Sequence, residues 1–383
     1  MRLSQRNTQL LQSDIRSMTI ECARVKGINL AQGVCDLALA PPVADGAIDA
    51  IRAGANAYTR YDGTRELREA IAAKYRRHYG MSVDPEGEIV VSCGATGAFY
   101  AVCLALLDPS DEVILFEPYY GYHVNTVRAC GGVPVFVRMS PPEWRFEADE
   151  LERAVTARTR AIVVNSPANP SGKVFSTGEL AAIAAVAQRH DMFVITDEIY
   201  EHFVYDNARH VPMATLPDMR GRTLTISGLS KTFSITGWRI GWVIGDRAVL
   251  DTIGQVNDLV YVCAPAPLQA GAARGMTRLG DDYYGDLIGT FTRRRRVMCD
   301  ALARAGLPPV QPGGAYYVLA DISRVPGADS RERAMRLLHD TGIACVPGRA
   351  FYHDSAGERL GRFCFAKGDA VLDDVAGRLA KYA

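Results

Sequence analysis

"AIVVNSPANPSGKVFSTGELAAIAAVAQRHDMFVITDEIY", residues 161–200, holds one complete strand–helix–strand unit. AIVVN (161–165) and FVITD (193–197) are apolar without alternation, the pattern of strands covered on both faces. Between them Leu180, Ile183, Ala184 and Ala187 fall on one helical face behind Thr177, a hydroxyl residue suited to capping. Runs of the same kind lie at IVVSC (89–93), VILF (113–116), TLTIS (223–227) and WVIG (242–245). Strands alternating with helical patterns predict an α/β layer structure, a mostly parallel sheet sandwiched by helices. Upstream, Leu67, Ile71 and Tyr75 mark a helix over 66–79 that stops at Gly80.

Near residue 285 the texture changes. A long helical stretch carries TRRRRVMCDALARAG (292–306), and the arginine run reads as a solvated face beside the apolar stripe Phe291, Met298 and Leu302. PGGAYYVLADIS (312–323) and GRFCFAKGD (361–369) close the chain. The expected division is a large domain over 41–285 and a smaller α/β domain built from 1–40 and 286–383, in keeping with a chain of 383 residues.

Lysines and arginines total 43, as do aspartates and glutamates, so no net field draws the chain to nucleic acid or an anionic membrane. A small polar substrate is the expectation. Nine scattered cysteines, an odd number with no CxxC pair, point to reduced thiols in the cytoplasm and to no zinc site. The charged N-terminal segment reads neither as a signal peptide nor as an anchor, and no apolar run approaches the roughly 20 residues of a membrane span.

Ligands of open α/β sheets sit at the carboxyl ends of strands. Four groups of polar residues fall there. Gly94-Ala95-Thr96-Gly97 follows IVVSC and opens a helical run, which makes either an anion site from free amides or an ordinary tight turn. NSPANPSGK (165–173) can project the Asn169 amide, or is simply a loop. Asp197 ends FVITD ahead of Glu198 and Tyr200, and a buried carboxylate needs a partner; a helix cap is the other reading. SGLSKTFSITGWRIGW (227–242) carries Ser227, Ser230, Lys231, Thr232 and Arg239. Only six of the 43 basic residues are lysines, so Lys231 in a glycine- and serine-rich turn suggests amine chemistry, against the bland option of a surface loop.

One cofactor accounts for all four groups. Pyridoxal 5′-phosphate needs an amine, a carboxylate at its ring nitrogen, donors to its ring oxygen, an anion site and a flat surface. Lys231, Asp197, Tyr200 with Asn169, and Gly94, Ala95, Thr96 with Arg239 match the first four needs. A free lysine is less than about 0.1% neutral at pH 7, so Arg239 and a desolvated pocket would have to lower its pKa, at about 1.4 kcal/mol per unit.

The chain resembles the class I/II, fold-type I pyridoxal-phosphate aminotransferases, close to their bacterial aspartate, aromatic and kynurenine/glutamine branches. The matching pieces run in order: NLAQG (29–33), YTRYDGTRELREAIA (58–72), NSPANPSGKVFS (165–176), TDEIYEHFVYD (196–206), SGLSKTFSITGWRIG (227–241) and VPGRAFY (346–352). The resemblance implies that Lys231 carries the cofactor and moves the substrate's α-proton. It implies that Asp197 pairs with the ring nitrogen, that Tyr200 and Asn169 bond the ring oxygen, and that Ala95, Thr96 and Arg239 hold the phosphate. Tyr120 would stack on the ring. Arg362 would clamp the substrate carboxylate, with Gly33 and Asn169 nearby. Tyr58 would reach the cofactor of a neighbouring subunit, which implies a homodimer. Some branches place a phosphate-binding serine where Gly228 stands, leaving Ser227 and Ser230 to compensate. Cys35 and Arg60 replace frequent prolines beside the substrate mouth, near Ile15 and Tyr61.

The expected activity is ping-pong transfer of an amino group from an L-amino acid to a 2-oxo acid, the alternative being a β-lyase on the same scaffold. CGATGAF (93–99) lacks the GxGxxG spacing of nicotinamide enzymes, and Val174 breaks a Walker loop.

Overall fold

The computed structural model describes residues 13–380. Seven strands form the main sheet: β1 (Ile89–Cys93), β2 (Glu112–Glu117), β3 (Val133–Arg138), β4 (Thr159–Asn165), β5 (Phe193–Asp197), β6 (Thr223–Gly228) and β7 (Ile240–Ile244). Their order is β1-β7-β6-β5-β4-β2-β3, and only β7 runs antiparallel to its neighbours. β5 and β7 pack apolar residues on both faces, as their unalternating sequences require. β3 is an edge strand with Val133 exposed and Pro134 in its run, so its sequence lacks the continuous apolar run of a strand buried on both faces.

The helix between β4 and β5 spans Thr177–Arg189, and its cap is Ser176 rather than Thr177. Ser176 Oγ accepts from the Glu179 amide while the Glu179 carboxylate accepts from the Ser176 amide, a reciprocal box that also draws in Lys173. The helix Arg65–Tyr79 is capped by Thr64 and ends at Gly80 in the left-handed region, φ +66°.

A second sheet holds β8 (Pro309–Val310), β9 (Tyr317–Asp321), β10 (Val346–Pro347) and β11 (Leu360–Cys364), antiparallel in the order β10-β11-β9-β8. The long helix Asp281–Arg304 buries Phe291, Met298 and Leu302 as its sequence predicts. The arginine run is not all solvated, however. Arg294 and Arg295 are buried and pair with Asp369 and Asp206, partners remote in sequence. None of the nine cysteines forms a disulfide. No helix among the described residues is long and apolar enough to cross a membrane.

Candidate active site

The carboxyl ends of β4, β5 and β6 open into a cavity of about 620 Å³. Ala95, Thr96, Tyr120, Asn169, Asp197, Tyr200, Ser230, Lys231, Arg239, Arg362 and Gly33, expected from sequence to share one site, all line it.

Lys231 lies three residues past β6, in the cavity lining. Its Nζ donates to the Gly33 carbonyl at 3.1 Å and sits 5.8–5.9 Å from the ring centres of Tyr316 and Tyr200. Burial pushes the amine down to about 8; Arg239 and Arg362 act in the same direction, against Cys364 and Asp197. Gly33 cannot be replaced there, because a Cβ would come within 1.8 Å of the Tyr317 hydroxyl.

Asp197, the last residue of β5, is fixed on both oxygens. Oδ2 meets His123 Nε2 at 2.9 Å and Oδ1 accepts from the Ile199 amide at 3.2 Å. His123 in turn packs edge-on against Tyr120, ring centres 5.2 Å apart. Tyr200 is buried with its hydroxyl 2.9 Å from that of Tyr317. Burial raises the Tyr120, Tyr200 and Tyr317 phenols, the last to about 12, so all three stay protonated at neutral pH.

At one end of the cavity the helix Gly94–Leu106 begins directly after β1. Gly94 has φ +75°, and a Cβ on it would lie 2.5 Å from Arg239 Nη2. The Arg239 guanidinium thus rests against the helix N-terminus, donating to the carbonyls of Thr236 and Cys93. Arg362, also in the lining, is 1% exposed. It donates to Asn169 Oδ1 at 2.8 Å and to the Ala31 carbonyl, lies 4.3 Å from the Tyr317 ring centre, and leaves Nε without a partner. Among the described residues neither Arg239 nor Arg362 forms an ion pair with a carboxylate. A buried guanidinium without a counterion is costly unless an anion completes it. Arg362 is such a cation, whereas Arg239 is exposed; both line the cavity with the depressed amine of Lys231 and with Asp197.

Behind this wall Glu198 and Glu201 are also buried. Glu198 meets His210 at 3.0 Å, and Glu201 meets Lys74 and Tyr79 at 2.5 Å and Ser227 at 2.6 Å. Ser227 therefore serves this network and not the cavity. Tyr58 lies outside the cavity, 83% exposed. Of the suggested mouth residues only Ile15 lines the cavity. Arg60 is committed to Asp62 and Glu86, Tyr61 lies against Gly254, and Cys35 is buried. Sequence reasoning missed His123 and Tyr317. His123 lies six residues past the end of β2, inside the helix that follows, and Tyr317 belongs to the other sheet, so only the fold brings them in.

A family model for aminotransferase class I and II matches residues 25–379. The chain belongs to that family. This aminotransferase is 38% identical to a probable N-succinyldiaminopimelate aminotransferase, DapC, of Mycobacterium tuberculosis, over 96% of this chain and 95% of the relative. It is 33% identical to human kynurenine–oxoglutarate transaminase 1, over 93% of this chain and 92% of that one. The solved N-succinyldiaminopimelate aminotransferase from M. tuberculosis superposes with a TM-score of 0.96 at 37% identity, both chains covered in full. Class I/II aminotransferases depend on pyridoxal phosphate and act on amino and 2-oxo acids.

Proposed function

We infer that this aminotransferase binds pyridoxal 5′-phosphate in the cavity around Lys231 and passes an amino group from an L-amino acid to a 2-oxo acid in two half-reactions. The observation that carries the reading is that Arg239 and Arg362, both without carboxylate partners among the described residues, line the same cavity as Lys231 and Asp197. One suits a phosphate and the other a substrate carboxylate.

The donor set fits that cofactor. Lys231 would take its aldehyde, Asp197 its ring nitrogen, and Tyr200 and Asn169 its ring oxygen. Ala95, Thr96, Ser230 and Arg239 would hold its phosphate, and Tyr120 would face its ring. When bound, the group supplies an electron sink for charge developing at the substrate's Cα.

The chain's own residues supply the rest. Arg362, packed on Tyr317, holds a carboxylate in a fixed plane and so orients the α-hydrogen. With its pKa near 8, Lys231 Nζ is neutral in roughly one molecule in ten at pH 7, far more than a free lysine, and can take that proton and return it. Asp197 is kept in place by His123 and the Ile199 amide, so it need not reorganise as charge develops.

We also assign a homodimer. Leu259 and Tyr58 are each 83% exposed, and Val260 and Val262 are exposed beside Leu259, an apolar surface that a second copy would cover. Tyr58 would then reach the partner's cavity. Residues 13–40 and 286–380 would form the smaller domain and 41–285 the larger, with 1–12 and 381–383 outside the described residues, and cysteines without disulfides suit the cytoplasm.

The test is a panel of amino donors, each with and without 2-oxoglutarate or pyruvate. Product should form only when the oxo acid is present. Ammonia and an oxo acid released without an acceptor would instead establish a β-lyase.

A further inference from the structure

Tyr317 opens β9, in the second sheet, yet it lines the cavity built on the first. It is 2% exposed and touches three parts of the site at once. The face of its ring lies 4.3 Å from the Arg362 guanidinium carbon. Its hydroxyl meets the Tyr200 hydroxyl at 2.9 Å. The same oxygen closes on Gly33, where it leaves no room for a Cβ, and the Gly33 carbonyl accepts from Lys231 Nζ at 3.1 Å and from the Tyr316 hydroxyl at 3.0 Å.

Packing on Arg362 needs the ring but not its oxygen, and a buried hydroxyl is costly unless it is paired. The pairing with Tyr200 therefore has consequences for both phenols. Each owns one proton, and burial keeps both protonated at neutral pH, so one must donate to the other. Tyr316, the other phenol within reach of Tyr317, has its proton committed to the Gly33 carbonyl. When Tyr200 turns its proton toward an oxygen in the cavity, the 2.9 Å contact survives only with Tyr317 as the donor. The donors then run in series, Tyr317 to Tyr200 to the cofactor's ring oxygen. Hydrogen bonds in such a buried chain polarise one another, by about 10–30% per bond.

We propose that Tyr317 is a positioning residue that acts through Tyr200: by donating to the Tyr200 oxygen it fixes where the Tyr200 proton points and makes Tyr200 a stronger donor to the ring oxygen. This rests on reading the cavity as the cofactor site. Negative charge on the ring oxygen, shared with Tyr200, does less to retain the proton on the nitrogen that links the cofactor to Lys231. Removing the Tyr317 hydroxyl weakens that sharing, so the proton leaves at higher pH.

The test is a pH titration of the holoprotein's visible absorbance, a readout independent of turnover. In Tyr317→Phe, which keeps the ring against Arg362, the midpoint should rise by about 0.5–1 pH unit, roughly a three- to tenfold change in proton affinity and the size of one neutral hydrogen bond. Tyr200→Phe should raise it further. Adding Tyr317→Phe to that variant should change nothing more, because the hydroxyl acts through Tyr200. Replacing Tyr317 by 3-fluorotyrosine, a more acidic phenol of nearly the same shape, should lower the midpoint instead. This replacement keeps every contact of the side chain and decides the matter if Tyr317→Phe folds poorly.

A Tyr317→Phe midpoint equal to that of wild type, a shift of the same size with and without the Tyr200 hydroxyl, or a fluorotyrosine midpoint that stays or rises would overturn the proposal. The two readings fail separately. A protein that stays colourless with pyridoxal 5′-phosphate removes the cofactor site, whereas a coloured protein whose midpoint ignores both replacements of Tyr317 removes this role alone.

Discussion

Replacing Arg362 with methionine removes the charge and the forked donor while keeping an unbranched chain between Tyr317 and Phe351, whose ring centres lie 4.3 and 5.2 Å from the guanidinium carbon. The wild-type group has Nη1 on Asn169, Nη2 on the Ala31 carbonyl and Nε unpartnered, so a substrate carboxylate meets a donor set already fixed in orientation. Two charge-assisted hydrogen bonds at about 1.5–3 kcal/mol each amount to about 3–6 kcal/mol. At about 1.4 kcal/mol per tenfold, kcat/KM for an amino acid should fall by about 10² to 10⁴. Stopped-flow spectra of the first half-reaction measure it, with an amino acid and with the matching amine that lacks the carboxylate. The amine should lose less than about threefold, because it never used the clamp. A variant within about tenfold of wild type on the amino acid, or an equal loss on both donors, would refute the assignment.

Other consequences can be checked in parallel. Because the neutral amine is the reactive form and its pKa is lowered to about 8, cofactor uptake by the apoprotein should rise about tenfold from pH 6 to 7 and level off above 8; a profile still climbing toward pH 10 would contradict the depressed value. Gly94→Ala places a Cβ 2.5 Å from Arg239 at φ +75°, strain of about 1–3 kcal/mol that should loosen phosphate binding and speed cofactor loss on dialysis; wild-type retention would remove Gly94 from the cradle. Lys74→Met leaves Glu201 buried without its 2.5 Å partner and should cost about 3–5 kcal/mol in urea unfolding. The double variant Lys74→Met with Glu201→Met should cost less than Lys74→Met alone, and strictly additive losses would show that the two charges are uncoupled.

Fold and site were legible to different depths, for physical reasons. Strands such as β5 declare themselves because both faces are buried and the sequence has no polar alternation to hide it. β3 does not, since an exposed edge relaxes that demand and admits Pro134. Ser176 wins the helix cap over Thr177 through the Glu179 side chain, a reciprocity that spacing three residues on could have revealed. Arg294 and Arg295 could not be told from their exposed neighbours, because Asp369 and Asp206 meet them only in three dimensions. Lys231, Asp197 and Asn169 follow strand ends and so stand out against a simple rule. His123 stands out less: it sits in the first turn of the helix Gly121–Ala129, and its contact with Asp197 is set only by the fold. Arg60 and Tyr61 show the converse, residues in matching segments that turn toward Asp62, Glu86 and Gly254 rather than the cavity.

The most direct measurement is borohydride reduction of the coloured holoprotein followed by peptide mapping. The account predicts a single cofactor adduct, on the peptide containing Lys231, with the other five lysines unmodified. An adduct centred on another lysine, or a protein that stays colourless when incubated with pyridoxal 5′-phosphate, would contradict it.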